Sequence, residues 1–106
     1  MNTLDTQPVD VEAIIKNIRP SKNKIVSGYR PPFEIKPGIL TSGEIRFKDN
    51  LELEFGKESL AEIRFICPEK YPNCLRVGQT IAFKECGIVH GHAIITEIKN
   101  KVLDSQ

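Results

Sequence analysis

The chain has 106 residues, a length that suits one domain and leaves no room for a catalytic domain plus a partner domain. Apolar residues make up 40% and charged residues 27%, an ordinary globular balance that supports a core without disulfide or metal staples. Fifteen Lys+Arg against 14 Asp+Glu give a formal net charge of +1, which excludes a strongly basic nucleic-acid clamp and a highly acidic mimic of nucleic acid but permits a local basic patch.

Met1 to Asp10 is polar and acidic, without the basic start and apolar stretch of a secretory signal, and residues 1–8 are expected to fray. From there the hydrophobic pattern has the period of strands, which places one set of side chains inside and the other in water. Val9, Val11, Ala13 and Ile15 alternate with Asp10, Glu12 and Lys16. Phe33 and Ile35 alternate with Glu34 and Lys36, and Ile45 and Phe47 with Glu44, Arg46 and Lys48. Asp49-Asn50 then predicts a tight hairpin into Leu51-Glu52-Leu53-Glu54-Phe55, the cleanest alternation in the chain. Ala61, Ile63 and Phe65 follow, then Ile81 and Phe83, with turn residues such as Pro37-Gly38, Val77-Gly78 and Cys86-Gly87 between runs. Pro68 to Leu75 has room for one short helical turn at most. These short, closely spaced strands predict an all-β fold, a single antiparallel barrel of six or seven strands over 9–99, with 100–106 as a second frayed tail. No apolar run approaches the roughly 20 residues of a membrane helix, and the odd, irregularly spaced Cys67, Cys74 and Cys86 form no disulfide framework, so a reducing cytoplasm is the expected home.

Catalytic motifs are weak. Gly38 and Gly43 have phosphate-loop spacing, but Glu44 stands where lysine is required and would repel phosphate. Cys86, His90 and His92 share even parity, so one continuous strand would turn a thiolate and two imidazoles to one face, a zinc-like donor set lacking a fourth ligand. The plainer reading is a buried cysteine and two partly exposed histidines, with no metal and no cofactor. A Cys-His nucleophile would need a lowered thiol pKa that nothing in the sequence supplies, and no serine sits in a nucleophile-elbow setting. The expectation is therefore a non-enzyme with no small-molecule substrate. Lys16, Arg19, Lys22, Lys24 and Arg30 gather near Tyr29 and Phe33, a patch able to meet phosphates with a stacking face, or simply a solvated loop.

The stretch Ser27-Gly28-Tyr29-Arg30-Pro31-Pro32-Phe33 is the least ordinary: two prolines stiffen it and Gly28 permits a bend. It resembles the Gly-Tyr-Arg-Pro-x-Phe signature of the third, C-terminal β-barrel of elongation factor Tu, the GTPase that carries aminoacyl-tRNA to the ribosome. Val11 to Ile15 resembles the opening strand of that barrel, and Thr41-Ser42-Gly43-Glu44-Ile45 its Thr-Gly-x-Ile turn. Phe83 to Ile95 follows the family's Ile-Arg-Glu-Gly-Gly-Arg-Thr-Val-Gly-Ala-Gly-Val-Val without a gap. Ile88 and Val89 replace the family's Arg-Thr, and these 106 residues are expected to hold neither a GTPase domain nor a second barrel. The resemblance implies a stand-alone barrel that acts on the translation machinery through Lys22, Lys24, Tyr29, Arg30, Phe33 and the turn formed by Gly87, Ile88, Val89, His90 and Gly91. Its partner would be tRNA-like RNA or a GTPase-type translation factor. The alternative is a protein-interaction module that mimics the family's domain toward a GTPase or a toxin. No membrane partner is expected.

Overall fold

The computed structural model describes residues 8–105; the rest of the expected N-terminal tail, 1–7, lies outside the described residues. In chain order the strands are β1 (Val11–Asn17), β2 (Ile25–Val26), β3 (Pro32–Lys36), β4 (Ile39–Phe47), β5 (Glu52–Leu53), β6 (Glu58–Phe65), β7 (Thr80–Glu85) and β8 (Ile88–Ile98). Six of them close into an antiparallel barrel in the order β1-β6-β4-β3-β7-β8, while β2 and β5 pair as a separate short ribbon. The odd-numbered side chains of the barrel strands point inward: Val11, Ala13 and Ile15, Ile45 and Phe47, Ala61, Ile63 and Phe65, Ile81 and Phe83, Ala93 and Ile95 are all buried. At the centre Phe33 meets Phe65 and Phe83 edge-on, with ring centroids 5.6 and 5.5 Å apart. Each such buried ring contributes about 1.5–3 kcal/mol of burial, and edge-on contact adds to that. Phe33, read in the sequence as a contact residue, is thus a keystone of the core and out of reach of any partner.

The sequence pattern misplaces Leu51 to Phe55. Leu53 is buried and pairs with Ile25 in the ribbon, but Leu51 and Phe55 are 79% and 41% exposed, and the segment does not pair with β4. β4 instead pairs with β6, Ile45 opposite Ile63 and Phe47 opposite Ala61, so Asp49-Asn50 opens a longer excursion rather than a tight hairpin. The run from β4 to β6 holds two hydrophobic segments, and the second, β6, takes the place beside β4 in the barrel. Glu44, expected in solvent, is buried under Arg46, whose guanidinium grips both its carboxylate oxygens at 3.0 Å, with Arg30 at 3.5 Å. Two guanidinium groups thus stand where a carboxylate so covered has lost its water.

The expected C-terminal tail is also tied down. Leu103 is buried, the Leu75 amide donates to the Leu103 carbonyl at 2.8 Å, and the Ser105 amide donates to Leu75 at 2.8 Å. Asp10 anchors the same segment from the start of the chain. Its carbonyl accepts from the Lys99 and Asn100 amides at 2.9 and 3.0 Å, and its carboxylate accepts from the Phe65 amide at 2.7 Å and the Asn100 side chain at 2.8 Å. Short 3-10 turns at Pro68–Lys70 and Lys101–Leu103 complete this end, the first matching the single helical turn expected before Leu75.

A neighbouring carboxylate gives the fold a pH signature. Glu12 accepts from Lys99 Nζ at 2.9 Å and Lys48 Nζ at 3.0 Å, and these bonds, Lys99 first, hold its pKa below the ordinary 4.5. Folding therefore favours the charged form, so the stabilisation is complete above pH 4.5 and is lost as pH falls through the lower folded-state value. Glu12→Gln is expected to cost about 1 kcal/mol at neutral pH, and the gap should close in strong acid. Thermal unfolding followed by circular dichroism across the acid range measures both.

Candidate interaction surface

Three segments meet at one end of the barrel: the loop from Ile18 to Lys24, the β2–β5 ribbon with Phe55 and Gly56 beyond it, and the tip of the β7–β8 hairpin. Asn17 organises them. It occupies an inward position at the end of β1, fully buried, where a polar group must find partners or lose stability. Its amide nitrogen donates to the carbonyls of Asn23 and Leu53, each at 2.9 Å, and its side-chain oxygen accepts from the Arg19 amide at 3.0 Å. Its backbone closes the set, with the carbonyl accepting from Gly56 at 2.8 Å and the amide donating to Lys57 at 3.2 Å. On the other side the Ile18 amide donates to the His90 carbonyl at 3.1 Å, which ties the loop to the hairpin.

The Tyr29 corner is pinned by backbone before any side chain acts. The Gly28 amide donates to Ile45 at 2.7 Å, the Ile45 amide donates back to Tyr29 at 2.8 Å, and Gly28 has a φ of 99°, a conformation that favours glycine. The Tyr29 ring packs edge-on against Phe83 at 6.0 Å, and the Arg19 guanidinium stacks on it, 4.5 Å from the centroid. Its hydroxyl donates to Glu85, whose same oxygen lies 3.8 Å from Arg19 and 3.2 Å from His90 Nδ1. Burial above all, then the Glu85 carboxylate, pushes the Tyr29 pKa up to about 12, so the phenol remains a neutral donor. This set of contacts braces the corner. Arg30 likewise points to Glu44.

The hairpin tip places Cys86 and Gly87 at φ 51° and 77°, the paired left-handed conformation of a two-residue turn between Glu85 and Ile88. Cys86 therefore leaves the strand and does not share a face with His90 and His92, against the continuous-strand expectation. It is exposed rather than buried. Among the described residues no three His, Cys, Asp or Glu side chains gather closely enough to hold a metal ion. Ile88 is 55% exposed at the tip, with Val89 and His90 half-buried behind it. Gly91, read as part of the contact turn, is buried, so its role is packing.

The lysines Lys22 and Lys24 are exposed on the loop, as expected, but Lys24 pairs with Glu52 at 3.2 Å and Lys22 sits 5.9 Å from the Phe55 ring. Around them stand Leu51, Phe55 and Val26, the last 57% exposed. Of the residues expected to make contact, Lys22, Lys24 and Ile88 thus share this end with apolar side chains, while Tyr29 braces it and Arg30 pairs with Glu44 on β4. The sequence reading missed Asn17, Val26, Leu51 and Phe55. Parity held the clue to Asn17, a polar residue at an inward position. No helix is long and apolar enough to cross a membrane. Neither a family model nor a curated protein matches the chain.

Proposed function

We propose that this protein is a non-catalytic binding module whose partner is a protein of the translation machinery. The partner class follows from the resemblance to the third barrel of elongation factor Tu, which packs on a GTPase domain. The observation that carries the protein reading is the pairing of charge at the loop end of the barrel. Arg19 is committed to Tyr29 and Glu85, Lys24 to Glu52 and Arg30 to Glu44, which leaves few cations for phosphate. Exposed Val26, Leu51, Phe55 and Ile88 meanwhile offer apolar anchors of the kind that carry protein interfaces. Ile88 and Val89, in place of the family's Arg-Thr, extend that apolar character.

The test is a calorimetric titration of the full chain into an isolated GTPase domain of an elongation factor, in its GDP and GTP forms, beside bulk tRNA at low and moderate salt. Saturable binding to the GTPase domain with a negative heat-capacity change, little affected by salt, is the expected result. Binding to tRNA that falls steeply with salt, with no uptake of the GTPase domain, would replace this reading with RNA recognition.

A further inference from the structure

The β7–β8 hairpin carries one residue more on its second strand than on its first. Phe83 lies opposite Gly91 and Lys84 opposite Val89, which leaves His90 as the extra residue of a bulge. A bulge takes its residue out of the ladder and re-aims the side chain. His90 uses both freedoms. Its carbonyl accepts from the Ile18 amide at 3.1 Å, outside the hairpin, and its ring turns to Glu85, with Nδ1 3.2 Å from Oε2. The main chain of this one residue thus holds the loop while its side chain faces the acid beside the tip.

Glu85 Oε2 is where three segments meet. Tyr29 donates its hydroxyl to it from the corner, and the nearest Arg19 nitrogen stands 3.8 Å away on the loop. The set is not closed, however. His90 Nδ1 is buried without a hydrogen bond, and so is Arg19 Nε. Buried polar atoms left open in this way call for a reason. For His90 the missing piece is a proton. A neutral imidazole carries one proton on either nitrogen, whereas the imidazolium carries one on each and always presents a donor to Glu85. That bond is then charge-assisted. Arg19 opposes the added charge, but its own is shared between Glu85 and the Tyr29 ring 4.5 Å away. Tyr29, with its pKa pushed up to about 12, stays a neutral donor throughout. Lys84, next to Glu85 on β7, is held by Glu34 at 3.0 Å. The next titratable group on β8 is His92, with Lys16 opposite it on β1.

We infer that His90 is a pH-operated latch. When it takes up a proton it pairs with Glu85, and through its bond to Ile18 it draws the hairpin tip and the loop together. The end of the barrel that bears Ile88 and Phe55 is therefore firm in mild acid and looser above neutrality. Histidine changes charge between about pH 5 and 8, so the pairing is present at the acid end of that range and absent at the other. The latch is a property of the chain alone and does not depend on which partner this surface meets.

The experiment is an NMR titration of the intact ¹⁵N,¹³C-labelled chain between about pH 5 and 8, with hydrogen exchange of the Ile18 amide followed at both ends. The amides of Ile18, Arg19 and Glu85 should move with the same midpoint as the His90 ring. The protection factor of the Ile18 amide should be about threefold higher at the acid end. Both effects should be absent in His90→Gln and should survive His92→Gln, which controls for the second imidazole of the strand. Glu85→Gln, which keeps an acceptor for Tyr29 but loses the charge, should leave His90 titrating and the loop unmoved. Any of three results would overturn the proposal: loop amides that do not follow His90, loop amides that titrate undiminished in His90→Gln, or Ile18 protection that falls as His90 gains its proton.

Discussion

Gly91→Ala is expected to lower the unfolding free energy by about 3 kcal/mol or more, among the largest effects of any methyl added to this chain. A Cβ at this position would overlap the Phe83 ring and lie 2.5 Å from the Lys16 carbonyl oxygen. Rotating the ring relieves only the first clash. The second is with backbone, and relief requires β1 to move off β8 at Asn17↔Gly91, beside the hub that holds the loop. Gly43→Ala makes a useful comparison, because the atoms nearest its Cβ would be the rings of Phe33 and Phe65 at 2.9–3.0 Å, which can shift, rather than backbone. Urea unfolding should show a large fall in midpoint for Gly91→Ala and a smaller one for Gly43→Ala, with slopes unchanged. Equal and small losses in both would show that β1 and β8 are looser than the packing implies.

Asn17→Asp should cost about 3 kcal/mol at neutral pH although it changes the side chain by one atom type. The amide nitrogen donates to two carbonyls, Asn23 and Leu53, and a carboxylate has no proton to give either. The substitution buries a negative charge against two carbonyl oxygens with no cation in contact. Because Asn17 also holds Gly56 and Arg19, the loss should be concentrated at the loop end of the barrel. Hydrogen exchange should speed first at the amides of Arg19 and Gly56 and later at Ile63 in the core. Uniform acceleration would mean that Asn17 supports the whole barrel rather than its end.

The barrel was legible in the sequence because strands buried on one face must alternate, and the alternation of Val11 to Ile15, Ile45 to Phe47 and Ala61 to Phe65 is clean. Two kinds of error share a cause. Leu51 to Phe55 alternates just as well, yet periodicity alone does not say whether a segment wins a place in the barrel. Ile25 and Leu53 fold together as a ribbon and leave Phe55 outside. Glu44 and Asn17 show the converse, since a polar residue can be buried when other side chains or carbonyls arrive from distant strands, and those partners are set only by the closed topology. The Tyr29-Arg30 motif stood out for its prolines, but its side chains turn toward Glu85 and Glu44. The partners of those side chains come from β7 and β4, strands far away in sequence, so the pairing was not legible in the motif itself.

The most direct measurement of the protein-binding claim is an amide NMR titration of the ¹⁵N-labelled chain with an unlabelled elongation-factor GTPase domain. Shifts should concentrate at Val26, Leu51, Phe55 and Ile88 with their neighbours, and should vanish in the Phe55→Asp, Ile88→Asp double variant while its own spectrum stays dispersed. A spectrum unmoved by the GTPase domain, or shifts that persist unchanged in the double variant, would contradict the account.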